Sequence, residues 1–191
     1  MSKVIHICVD CVFIDGVVEQ FDEMKIDCSY ICYLQKSLDE KEITKIKNKD
    51  RFEIAFSFDE LIEKVKNASD DENSVCFYHS RFMPFAIANK ISKICKTVWC
   101  EWGYDLYSDS TVPFTNNLIS LPFYKSITKK FYIKCDILRR IKRSFRAFLS
   151  WGKHFVSRRK YYKGLNYLSA LDVECDFIEK KVGHTITPVH L

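Results

Sequence analysis

Three pairs of polar residues in this chain have the types that move protons, and each pair follows an apolar run of strand length: Asp10 with Asp15, His79 with Arg81, and Glu101 with Asp105. An unperturbed histidine titrates near neutrality, and a carboxylate becomes a useful base once burial raises its pKa. His79 is therefore a natural candidate for proton transfer, with Asp105, Glu101 and Asp15 as carboxylate candidates. Exposed loops carry such residues for no chemical reason as well. The pattern has meaning only if the preceding runs are strands of one sheet that end at one edge.

The segment Val98-Trp99-Cys100-Glu101-Trp102-Gly103-Tyr104-Asp105-Leu106-Tyr107 has that form most clearly, and it holds two of the three tryptophans. Val98, Trp99 and Cys100 have the β-branched and aromatic character of a buried strand. Gly103 accepts backbone angles that other residues resist, and Asp105 lies just past it. In an open α/β sheet this is the carboxyl edge, where ligands bind. Trp102, Gly103, Tyr104 and Tyr107 would then form a wall of a cleft; the plainer alternative is a tryptophan-rich core strand followed by a capped loop.

The elements needed to bring these residues together are legible along the chain. Residues 3–9 form a nearly continuous apolar run, the pattern of a parallel strand buried on both faces. Phe13, Val17, Val18 and Phe21 then recur at helical spacing. Further strands are expected at Cys28–Leu34, Arg51–Phe56, Ser74–Tyr78 and Lys96–Glu101. Ser57-Phe58-Asp59-Glu60 has the capping-box form that opens a helix, and Phe82–Ile94 reads as another. The charged stretch Gln35–Asp50 has no strong core pattern and suits an exposed connection or a short helix around Glu40–Ile46. Strands alternating with helices predict an α/β fold, a Rossmann-like parallel sheet with flanking helices, in a single domain over residues 1–191. Near the end, Gly164–Leu171 reads as a strand, Asp172 as the cap of a helix, Gly183 as its stop, and Thr185–Val189 as one more strand. Ending there, without a helix to close the layer, suggests that something followed.

No Gly-rich phosphate loop occurs among the five glycines, so neither common nucleotide-binding device is present. Cys8, Cys11, Cys28 and Cys32 have a spacing that resembles a zinc ribbon, but Cys8 and Cys28 fall inside strand-like runs and the glycine-bearing knuckles are missing. Nine cysteines without a secretion signal read as reduced thiols in the core. His6, Asp10 and Asp15 interrupt the only N-terminal apolar run, and no charge-free stretch is long enough to span a bilayer. A cytoplasmic location is expected.

Charge is distributed unevenly. Residues 125–163 carry fourteen of the thirty basic residues against Asp136 alone, leaving the rest of the chain at a net of −8 beneath an overall +5. Within this stretch Ile137, Leu138, Ile141, Phe145, Phe148 and Leu149 form an apolar helical stripe, with Arg139, Arg140, Lys142, Arg143 and Arg146 on the remaining arc and Trp151 at the end. A basic amphipathic helix of this composition suits an anionic lipid surface. Nucleic-acid phosphates attract the same charge, and a solvated helix packed by its stripe has the same pattern. The acidic body and the lack of a recognised module weigh against nucleic acid.

At Phe13-Ile14-Asp15-Gly16, and more specifically at Trp102-Gly103-Tyr104-Asp105-Leu106-Tyr107, the chain resembles the amino-terminal half of a bacterial glycosyltransferase family. It is the family of the TDP-4-acetamido-4,6-dideoxygalactose:lipid II transferase, also called 4-alpha-L-fucosyltransferase, and the resemblance covers essentially all 191 residues. It implies a GT-B enzyme of bacterial surface glycan synthesis: two Rossmann-like domains facing a cleft, the first taking the acceptor and the second the nucleotide sugar. Only the first is represented, so a carboxyl-terminal donor domain is expected to be absent. The resemblance further implies a lipid-linked glycan acceptor, a peripheral place on the cytoplasmic face of the inner membrane, no cofactor beyond the nucleotide-sugar substrate, and Asp105 as the first candidate base; from the cysteine spacing no metal site is expected. A catalytically inactive domain that binds a membrane or a partner through the basic arm is the alternative.

Overall fold

The apolar runs become strands because both of their faces are covered. In β1 (Val4–Cys8), Ile5, Ile7 and Cys8 have no exposed surface and His6 has 1%. Alternate side chains of a central parallel strand enter the layers above and below it, so neither set can be polar without a partner. The computed structural model describes residues 3–34, 42–70, 73–79, 83–100, 156–157, 159–169, 175–176, 178–179 and 183–189. After β1 come α1 (Ile14–Glu23), β2 (Cys28–Tyr33), β3 (Phe52–Ala55), α2 (Phe58–Ala68), β4 (Val75–His79), α3 (Phe85–Ile91), β5 (Lys96–Cys100), β6 (Tyr167–Ser169) and β7 (Thr187–Pro188).

These seven strands form one sheet in the order β3-β2-β1-β4-β5-β6-β7, and every pairing is parallel. The first three strands are laid down in one direction from β1, and the remaining four in the other. Between β1 and β4 the winding reverses, which is the switch point of a doubly wound Rossmann-like sheet; sheets of this kind bind their ligands outside the carboxyl ends of the strands there.

Each face has its own cover. On one side Ile14, Val18 and Phe21 of α1, spaced to share one helical face, are buried. Ile14 and Val18 pack with Cys8, Tyr30, Cys32 and Phe52, and Phe21 with Phe77, Val98 and Cys100. On the other side Leu61 and Val65 of α2 and Ala88 and Ile91 of α3 join Ile5, Ile7, Ile31 and Trp99 in one cluster. Trp99 is 1% exposed, with the rings of Tyr161 and Tyr162 centred 6.3 and 6.5 Å away. The strand half of the Val98–Tyr107 run is therefore core. Residues 159–164 are helical, with Tyr161 and Tyr162 buried against the sheet and Arg159, Lys160 and Lys163 exposed.

Local signals act where the sequence places them. The Ser57 hydroxyl accepts from the Glu60 N–H at 3.2 Å and starts α2, while the Glu60 carboxylate reaches back to the Phe56 N–H at 2.8 Å. Gly183 takes φ +79° and donates its N–H to Glu179 at 2.8 Å, a helix stop that glycine makes without strain. Two expectations change. α3 begins at Phe85 rather than Phe82, because Pro84 is extended at the cap and a proline disfavours helical angles in the residue before it. Residues 42–46 are not helical; in the stretch 42–50 every residue is exposed except Ile43 and Ile46, which are each 3% exposed and pin the connection by packing with Ile14 and Val18.

Gly16 lies in the first turns of α1, and a Cβ built on it meets nothing within 4 Å. Gly16→Ala is expected to stabilise the domain by about 0.5–1 kcal/mol through the smaller entropy loss of alanine in a helix. Urea unfolding of the variant beside the parent checks it.

Candidate functional site at the carboxyl edge

The loop leaving β1 carries Asp10, and the first turn of α1 carries Asp15; both are 7% exposed. Asp10 accepts from the Thr44 N–H and hydroxyl, both at 2.9 Å, from the Lys45 N–H at 3.0 Å and from the Ile46 N–H at 3.1 Å. Asp15 accepts from the Lys47 N–H at 3.0 Å and the Asn48 N–H at 3.3 Å. Five consecutive backbone donors thus end on two carboxylates. A parallel crossover normally uses a helix, which satisfies its own backbone. Residues 42–48 are not helical, so the donors need other acceptors, and Asp10 and Asp15 supply them. Burial by itself would raise the Asp10 carboxyl, but the N–H groups of Thr44 and Lys45, the Thr44 hydroxyl and the Ile46 N–H outweigh it and hold the pKa below 3.8.

β1 and β4 lie side by side with Ile7 opposite Tyr78. From these neighbours His6 and His79 meet, His6 Nδ1 standing 2.8 Å from His79 Nε2, both residues 1% exposed. The rings of Tyr30, Phe77 and His79 stack beside His6, with centroids at 5.0, 5.2 and 5.1 Å, and Phe21 meets it edge-on at 4.4 Å. His6 Nε2 is buried without a hydrogen-bond partner among the described residues. Burial, then the charge of His79, lowers the His6 pKa to about 3, and burial lowers that of His79 to about 4. The near-neutral imidazole expected at His79 is thus replaced by a neutral, weakly basic ring that shares one proton with its partner.

Of the candidate bases, Asp15 is held by the crossover and His79 by His6. The two are not brought to each other by any described contact. β5 ends at Cys100, in register with His79. Glu101, Trp102, Gly103, Tyr104, Asp105 and Tyr107 lie outside the described residues, as do Arg81, Arg139, Arg140, Lys142, Arg143, Arg146 and Trp151. Val12 and Phe13, on the loop between Asp10 and α1, are 58% and 71% exposed beside the switch point.

Among the described residues no group of three or more His, Cys, Asp or Glu side chains is placed to hold a metal ion, and no helix is long and apolar enough to cross a membrane. Cys8 and Cys32 face each other in register inside the core. Sequence reasoning missed His6, whose one signal was a histidine inside a strand of otherwise apolar side chains, and missed Thr44–Asn48, whose signal was the pair Ile43 and Ile46.

The histidine pair makes a pH dependence whose sign is fixed. The unfolded chain takes up protons as pH falls through 6.5, while the folded pair stays neutral until about pH 4. Its contribution is complete above pH 6.5 and declines below it. His6→Phe, which keeps a flat ring among the aromatics, is expected to make the loss of stability between pH 6.5 and about 4 shallower in urea-unfolding titrations. An unchanged slope would place its origin elsewhere.

Compared with known protein-family models, curated proteins and solved structures, the chain matches none of them, and any family assignment therefore rests on the motif resemblance alone.

Proposed function

We propose that this chain is the acceptor-binding domain of a GT-B glycosyltransferase. With a nucleotide-sugar domain it would move a deoxyamino sugar or similar hexose onto a lipid-linked acceptor in bacterial surface glycan synthesis. The observation that carries this reading is the register of His79 with Cys100 beside the β1/β4 switch point, because the run Glu101–Tyr107 departs from that strand end and contains the residues of the resemblance.

Electrostatics supports a division of labour. In dinucleotide-binding sheets the first strand–helix turn holds a diphosphate on the helix N-terminus. Here that turn has no Gly-rich loop and carries Asp10 and the first-turn Asp15, which oppose an anion at the same place. The phosphates of the donor then belong to a second domain. The base that takes the acceptor hydroxyl's proton is Asp105 in this reading, with Glu101 next, since Asp15 and His79 have structural partners. The basic residues of 125–163 would place the domain on the cytoplasmic leaflet beside its lipid-linked acceptor, and the exposed Arg159, Lys160 and Lys163 fit that role. A second reading, an inactive domain that binds membrane or a partner, is favoured by the fact that two of the four candidate bases serve the fold.

A transfer assay with TDP- and UDP-sugars and a polyprenyl-diphosphate-linked acceptor, run with and without a complementary donor domain, separates the two. The expected result is turnover only with both halves, reduced by about 100-fold or more in Asp105→Asn. Replacing Arg139, Arg140, Lys142 and Arg143 together with glutamate is expected to release the protein from anionic vesicles. Vesicle binding without transfer in any combination would establish the second reading; no vesicle binding and no transfer would end both membrane-based readings.

A further inference from the structure

At the opposite edge of the sheet, where β5 and β6 begin, a cleft of about 290 Å3 opens between the end of α3 and the strand starts. Lys93 and Lys96 form part of one wall, Gly164, Asn166 and Tyr167 part of the other, and no acidic residue lines it. Lys163 directly precedes Gly164, and all three lysines are exposed. None of the three has an ion-pair partner among the described residues, whereas Lys3, Arg51 and Lys64 each meet a carboxylate, those of Asp70, Asp22 and Glu53. Cations around a concave surface without a counter-charge hold a positive potential there. We propose that this cleft binds a phosphate group carried on a small organic substituent, either a free phosphate ester or a lipid headgroup. The site is independent of the proposed glycosyl transfer.

The end of a helix ordinarily presents carbonyls that oppose an anion. Here those of α3 are occupied: the Ser92 N–H goes to the Ala88 carbonyl at 2.9 Å, and the Ile94 and Cys95 N–H groups go to the Ile91 carbonyl at 2.8 and 3.2 Å. The Gly164 carbonyl accepts from the Asn166 side-chain amide at 3.3 Å, and that amide retains a second N–H. Each lysine ammonium adds three donors on a flexible stem, so it can close on a phosphate oxygen without a fixed fork. The volume is near the lower limit of about 300 Å3 for small-molecule sites, which suits a phosphate with a few carbons attached. At the other edge the first strand–helix turn, where doubly wound sheets hold a phosphate, carries the buried Asp10 and Asp15. The concavity whose charge suits an anion lies at the amino ends of β5 and β6 instead.

The test is amide-shift mapping of the full chain by NMR at constant ionic strength, with glycerol 3-phosphate, with glycerol as the uncharged control and with acetate as a charged one. Expected are saturable shifts at Lys93, Lys96 and Asn166 with glycerol 3-phosphate alone. Lys93→Gln with Lys96→Gln should weaken that binding by about tenfold, as two solvent-screened contacts allow, while the Ile7 and Ile31 amides keep their positions and show that the sheet is intact. The same double variant on phosphatidylglycerol vesicles then names the source of the phosphate. Weaker co-sedimentation than the parent identifies a lipid headgroup, and co-sedimentation equal to the parent's identifies a free ester. Shifts that do not saturate, equal shifts with acetate, or an affinity unchanged by the double replacement would overturn the assignment.

Discussion

The carboxyl edge of this sheet depends on two buried carboxylates satisfying five backbone donors. Asp10 and Asp15 hold the N–H groups of Thr44 to Asn48, and so fix a stretch that is not helical and does not satisfy its own backbone. Charge-assisted bonds of this kind are stronger than neutral ones, and leaving the buried Ile46 N–H unmet would cost more than its bond contributes. The same contacts seat Ile43 and Ile46 on Ile14 and Val18. Loss of either carboxylate would therefore disturb the packing of α1 as well as the loop, and α1 covers the side of the sheet on which His6 and Phe77 stack.

This arrangement changes what the edge can do. Carboxylates that could have served a substrate are committed to the backbone, and the histidines that meet at the switch point are neutral together. Among the described residues at this edge, Val12 and Phe13 are the large apolar side chains exposed to solvent. A domain that receives an acceptor while another binds the charged donor is consistent with an edge whose first turn is acidic.

The fold was legible in the sequence to the extent that a single local signal decided each element. Continuous apolar runs marked the strands, Ser57 and Glu60 marked the start of α2, and Gly183 marked a helix stop. The start of α3 is set by Pro84, a local signal that overrides the apolar spacing of Phe82 to Ile94. The crossover was not legible, because backbone donors caught by distant carboxylates leave no period in the side chains. The His6–His79 contact spans 73 positions and exists only once β1 and β4 are paired in register. His79 was singled out from its type and its place at a strand end; its neutral state follows from burial, which sequence alone did not show.

The most direct test of the carboxylate-held crossover is an NMR titration that follows the Asp10 carboxyl together with the Thr44, Lys45 and Ile46 amides. Because the donors depress its pKa, the Asp10 contribution is present above the unfolded carboxylate value and is lost as pH falls through the folded one. The three amides are expected to shift with Asp10 in a single transition whose midpoint lies below 3.8. A midpoint at or above 3.8, or amides that stay unmoved while Asp10 titrates, would contradict the role given to this interaction.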